Sequence, residues 1–156
     1  EVRTRNQFLK EMDSMLDKYN PIHVYVVGAT NKPWVLDDPF IRRFQKRILV
    51  PLPNAEARAE LISIYSKDLT LGHDVNAEEL VRLTEGFSGS DIHDILQQAH
   101  TKVVRELFES QNISERSRPR PICMQDFREI LRKRRPSVSP EMLRYYDKWY
   151  ETYKAL

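Results

Sequence analysis

Apolar and polar positions along the chain follow two different periods. Around His23 to Gly28 (HVYVVG) and Arg47 to Leu52 (RILVPL), apolar residues run together between polar or Pro-containing turns. Such runs predict strands buried in a parallel sheet, one over 22–30 and one over 47–51. Elsewhere the spacing is three and four residues, which predicts helices. Phe8, Leu9, Met12, Met15 and Leu16 give a helix over 1–16, and Pro21 closes the turn after it. Pro39 favours a short helix over 40–43, with Phe44 free to plug into a core. Asn54 is the expected N-cap of a helix to about residue 67 that buries Leu61, Ile62, Ile64 and Tyr65. Asn76 with Glu79 opens a helix over 77–84, and Gly86 ends it. Ser88 with Asp91 opens a long helix to about residue 109. Its stripe is Ile92, Ile95, Leu96, Ala99, Val103, Val104, Leu107 and Phe108. A basic loop over 114–121 separates it from a helix over 124–133. Ser139-Pro140-Glu141 starts a last helix rich in Tyr and Trp.

The change of period at Asn54 divides the chain. Residues 1–53 read as the end of an α/β sheet domain, 54–135 as a small all-α domain, and 136–156 as a C-terminal helix. The first helix begins at a charged residue with no cap before it, so we expect the chain to be one piece of a larger protein.

Composition narrows the class. The 156 residues are 40% hydrophobic and 31% charged, which is globular rather than disordered. A net charge of +2 gives no reason to expect nucleic acid. The single Cys123 excludes an internal disulfide and fits a reducing, cytoplasmic setting. No apolar run approaches the ~20 residues of a membrane span. His23, His73, His93 and His100 have no metal-ligand spacing with Cys123, so no metal site is expected within the chain. The basic SERSRPR and RKRRP segments read as solvated loops, because no aromatic residues interleave for base stacking.

Three motifs carry chemistry. Val27-Gly28-Ala29-Thr30-Asn31 ends a predicted strand, where α/β proteins place ligand contacts. Ile41-Arg42-Arg43-Phe44 precedes the second strand, and Gly86-Phe87-Ser88-Gly89-Ser90-Asp91-Ile92 opens the long helix. In order and spacing the three resemble the second half of an AAA-family ATPase module, over nearly the whole chain. The resemblance implies the end of an AAA large domain followed by a helical lid domain. It implies a sensor role for Asn31, whose amide can face a γ-phosphate or the attacking water. The alternative is an asparagine closing the turn before Lys32-Pro33. Arg42 and Arg43 match arginine fingers that act on a neighbouring subunit's nucleotide, since guanidinium is always charged and forks onto phosphate oxygens. The alternative is a solvated basic face with Lys46 and Arg47. Gly89 and Ser90 match backbone lying over adenine and ribose, and Leu61 and Tyr65 match positions near the adenine ring. Tyr65 stands where many relatives have histidine, and Leu61 also reads as plain core. Asp91 reads as a helix cap.

Many AAA proteins carry a longer segment with a Gly between the two arginines. Its absence points to the meiotic branch. Pro136-Ser137-Val138-Ser139-Pro140-Glu141 with the aromatic helix resembles the vacuolar-sorting ATPases and their archaeal cell-division (Cdv) counterparts. There the last helix packs back on the large domain. That resemblance implies a ring, hexameric in form, that uses ATP and Mg2+ to disassemble ESCRT-III-like polymers and meets membranes only indirectly. Microtubule severing, or a non-enzymatic helical interaction module, are the alternatives. These residues include no phosphate-binding Gly-x-x-x-x-Gly-Lys-Ser/Thr loop and no hydrophobic run ending in paired acids. We therefore expect the chain alone to be inactive.

Overall fold

The structure, a computed structural model, describes residues 2–15, 25–110 and 117–154. Among them the chain forms α1 (Val2–Met15), a single 3-10 turn (Pro33–Val35), α2 (Asp38–Arg43), α3 (Ala55–Ser66), α4 (Ala77–Leu83), α5 (Gly89–Glu109), α6 (Met124–Lys133) and α7 (Pro140–Tyr153). No described helix is long and apolar enough to cross a membrane. The chain divides into two compact units, Glu1–Leu49 with Glu141–Leu156, and Val50–Pro140.

In the first unit, α1 buries Leu9 and Met12, and α2 buries Ile41. The two helices pack together, with Phe8 stacked on Phe40 at 6.0 Å between ring centroids. Phe44 is half-buried, and its ring lies so near Gly28 that a Cβ there would come within 3.2 Å of it. The close approach explains a glycine at the end of the Val26-Val27 run. The aromatic face of α7 meets this same unit: the Trp34 ring lies 5.2 Å from Tyr146 and 6.1 Å from Tyr145. The Tyr146 hydroxyl donates to the Asn31 carbonyl, the polar tip of an otherwise apolar contact. Arg47 does not lie on a solvated basic face. It is half-buried and donates to the carbonyls of Ile41, in the last turn of α2, and Tyr153, at the end of α7. Helix ends leave such carbonyls without intrahelical partners, and a cation suits them.

The two expected strands differ from expectation. Residues 25–30 and 44–53 carry no strand ladder, and residues 22–24, the turn over 17–21 and Leu16 lie outside the described residues. Tyr25, Val27, Ile48 and Val50 are each more than four-fifths exposed. A β-branched run favours extended backbone, but a parallel strand exists only when neighbours take up its N–H and C=O groups. Neither segment pairs with the other, so the sheet half of the expected α/β architecture is unformed among the described residues.

The second unit is helical. α5 is its axis and contributes Ile92, Ile95, Leu96, Ala99 and Val103 to a core with Ile62, Leu80, Phe87, Ile122, Met124 and Phe127. The starts of its helices follow local chemistry. Asn54 accepts from the Ala57 amide, Asn76 accepts from the Glu79 amide, and Ser88 with Asp91 forms a complete capping box. The Asn76 start lacks the reciprocal arm, because the Glu79 carboxylate is instead gripped by Arg128 at 2.8 Å. Gly86 sits at φ 78, the left-handed conformation that ends α4. Between the helices, Leu71 and Ile122 form an isolated parallel bridge, a pairing no run of residues signals.

Two apolar faces are narrower than the periodicity suggests. Ile64 is 64% exposed, and Phe108 at the end of the α5 stripe is 69% exposed. The stripe outruns its partner: α6 has ten residues against the 21 of α5. The basic loop is not wholly solvated either. Arg120 forks onto Asp126 at 2.7 and 2.9 Å and reaches Glu106 at 2.7 Å. Residues 111–116 lie outside the described residues.

Candidate functional site

Asn31, Arg42 and Arg43 belong to the first unit, and Leu61, Tyr65, Gly89 and Ser90 to the second. In the first unit, the turn before Lys32-Pro33 is closed by Thr30, whose Oγ1 accepts from the Lys32 amide at 3.1 Å. Asn31 is therefore not the turn's capping residue. Its main-chain carbonyl is held by Tyr146, and its exposed side-chain amide makes no hydrogen bond among the described residues. An amide fixed at its backbone and free at its tip can face a phosphate oxygen or a water.

The two arginines sit in the last turn of α2 and have different environments. Arg43 is half-buried and pairs in a fork with Asp13 of α1, Nε to Oδ1 at 2.8 Å and Nη2 to Oδ2 at 2.6 Å. Its Nη1 donates to the Pro39 carbonyl at 2.9 Å. The hydrogen bond from Arg43 holds the Asp13 carboxyl below the ordinary aspartate range, and the same bond raises Arg43. Arg42 is exposed and makes no hydrogen bond or ion pair among the described residues. Consecutive helical residues point about 100° apart, so a pair in sequence separates into one inward and one outward guanidinium. The sequence could not reveal this division, because Asp13 lies 30 residues upstream of Arg43.

In the second unit, Gly89 and Ser90 are the first two residues of α5, where backbone N–H groups have no intrahelical acceptor. Gly89 lies against α3: a Cβ there would meet the Leu61 Cδ1 at 3.7 Å. Leu61 and Tyr65 are half-buried on the same face of α3, and the Tyr65 ring packs edge-on against His93 of α5 at 4.8 Å. The structure thus brings all four predicted contacts of this unit to the junction of α3 and the start of α5. Two N–H groups with no acceptor among the described residues, beside an apolar wall, suit a ribose and the face of a purine. The same junction is anchored by Asp91, which is 3% exposed. Burial raises its pKa, but hydrogen bonds from the backbone and side chains of Ser88 and Ser137 outweigh that, and the carboxylate titrates below its ordinary range.

Among the described residues no group of three or more His, Cys, Asp or Glu is placed to bind a metal ion. A groove of about 750 Å³ between α5 and α6, lined by Lys102, Arg105, Glu106 and Glu129, contains none of the predicted site residues.

Comparison with known proteins accounts for both halves of this arrangement. Residues 1–52 match the family model described as ATPase family associated with various cellular activities (AAA), and residues 74–129 match the AAA+ lid domain. The chain is 51% identical over 156 residues to Cell division protein C of Sulfolobus acidocaldarius, covering 100% of this chain and 40% of that protein. Among solved structures, the FIGL-1 AAA domain in complex with ADP superposes with a TM-score of 0.85 at 28% identity, over 99% of this chain and 53% of that one. A structure entitled "Structural Basis for Katanin Self-Assembly" superposes at 0.82 with 30% identity, over 97% and 53%. The chain therefore spans less than half the length of that cell division protein and about half of each solved chain. With a large-domain segment and a lid segment matched in the order that the three motifs occur, the chain belongs to the AAA ATPase family.

Proposed function

We propose that the intact protein is a ring-forming ATPase, hexameric in form, that couples ATP hydrolysis to the disassembly of ESCRT-III-like polymers in membrane remodelling or cell division. The observation that carries the enzymatic part is the outward Arg42. A guanidinium with no partner among the described residues, at the end of a short helix braced by the Arg43–Asp13 fork, suits a charge delivered to another subunit's nucleotide. In this reading Asn31 serves the subunit's own γ-phosphate or attacking water. Gly89, Ser90, Leu61 and Tyr65 contact its adenosine, and Arg43 also reaches the neighbour if it leaves Asp13. Mg2+ is held by residues outside this chain. The domains run over 1–53, 54–135 and 136–156, and the protein works in the cytoplasm without nucleic acid.

The polymer part rests on the 51% identity to an archaeal cell division protein and on the aromatic α7. Microtubule severing is the second reading, favoured by the likeness to the katanin structure. Pelleting the intact protein with ESCRT-III-like filaments and with microtubules separates the two. ATP-dependent loss of filaments supports the first reading, and ATP-dependent loss of microtubules alone supports the second. The chain of 156 residues by itself is expected to turn over no ATP, and sustained turnover would overturn that assignment.

A further inference from the structure

The start of α5 is held by more than its own cap. The capping box needs only Ser88 and Asp91: the Ser88 amide and hydroxyl reach Asp91 Oδ2 at 3.0 and 2.8 Å, and the Asp91 amide reaches Ser88 Oγ at 3.2 Å. A second residue, 46 positions away, uses the same oxygen. The amide of Ser137 donates to Asp91 Oδ2 at 3.2 Å and its hydroxyl at 2.8 Å. The two serine oxygens lie 3.4 Å apart, and Arg134 stands 3.7 Å from the other carboxylate oxygen. One oxygen of the buried carboxylate, Oδ2, is thus shared between the turn that bears Gly89 and Ser90 and the segment leading into α7. Satisfying Asp91 for helix capping does not require Ser137, because buried carboxylates need partners but the cap already supplies two.

We propose that Ser137 is a positioning residue for the nucleotide-contacting turn, acting through Asp91 to fix the Gly89–Ser90 backbone in its binding conformation. The proposal rests on the reading of that turn as a nucleotide contact. Ser137 itself is exposed, so replacing it leaves the core intact. Its hydroxyl contributes one hydrogen bond to a charged acceptor, the kind whose loss is felt where the geometry must be exact.

The test uses the intact protein and measures mant-ADP affinity and steady-state ATP turnover. Ser137→Ala is expected to raise the Kd for mant-ADP and the KM for ATP about three- to tenfold, the worth of roughly one hydrogen bond, with kcat within about twofold. Ser137→Thr, which keeps the hydroxyl, is expected to restore both. A Ser137→Ala protein with unchanged affinity, or with a loss that Ser137→Thr does not restore, overturns the proposal. Ser90→Trp separates this outcome from failure of the underlying reading, because it crowds the turn directly. If Ser90→Trp weakens mant-ADP binding and Ser137→Ala does not, the clasp alone is refuted. If Ser90→Trp leaves binding unchanged, the turn is not the nucleotide contact and both fall.

Discussion

Arg42 and Arg43 are adjacent in sequence and differ in what a substitution should do. Arg42→Ala in the intact protein should lower ATP turnover by about 10³-fold or more, as loss of a finger does in related phosphoryl transfer, with the melting temperature and nucleotide affinity unchanged. Arg43→Ala should also lower the melting temperature, because the fork to Asp13 and the bond to the Pro39 carbonyl tie α2 to α1. Thermal melts beside turnover assays distinguish the two. Equal behaviour of both variants would mean that the division of roles is wrong. The motif made Arg42, Arg43 and Asn31 legible as candidates. It could not say that Thr30 rather than Asn31 closes the turn, since either side chain can do so from sequence alone.

At the level of elements, helix starts were legible because they depend on residues three apart. Asn54, Asn76 and Ser88 cap as their sequences require. Replacing Asn54 or Asn76 with Ala should cost about 1 kcal/mol each in denaturant unfolding of the second unit. Phe127→Ala should cost about 3–5 kcal/mol, because that ring is fully buried, whereas Ile64→Ser on the exposed face of α3 should stay within about 0.5 kcal/mol. An Ile64→Ser penalty as large as that of Phe127→Ala would contradict the burial pattern. What was not legible is long-range. The Leu71–Ile122 bridge, the Arg120–Asp126 fork and the Ser137–Asp91 contact join residues whose partners no local period announces. The strand segments show the converse. Val26-Val27 and Ile48-Leu49-Val50 carry the right residues, yet a strand is a property of its neighbours as much as of itself.

For the whole molecule, acid sensitivity concentrates in the second unit. Asp126 is held far below the ordinary carboxylate range, first by its hydrogen bonds from Arg120, against the opposing effect of burial, then by Lys102 and Cys123. Asp91 is lowered as well. Both have folded values below the unfolded value of about 3.9, so their stabilisation is fully present above that pH and is lost as the pH falls below it. Denaturant unfolding should show a loss of stability between about pH 5 and pH 2 that Asp126→Asn makes shallower; an unchanged slope would show that another group titrates. In the proposed ring, Asn31 of one subunit and Arg42 of its neighbour would complete each nucleotide site. Asn31→Ala and Arg42→Ala forms of the intact protein, each with low activity, can be mixed and reassembled. In a head-to-tail ring about a quarter of the interfaces then carry an intact Asn31 facing an intact Arg42. ATP turnover of the mixture should then rise well above that of either variant. Turnover no greater than the average of the two variants would contradict that arrangement.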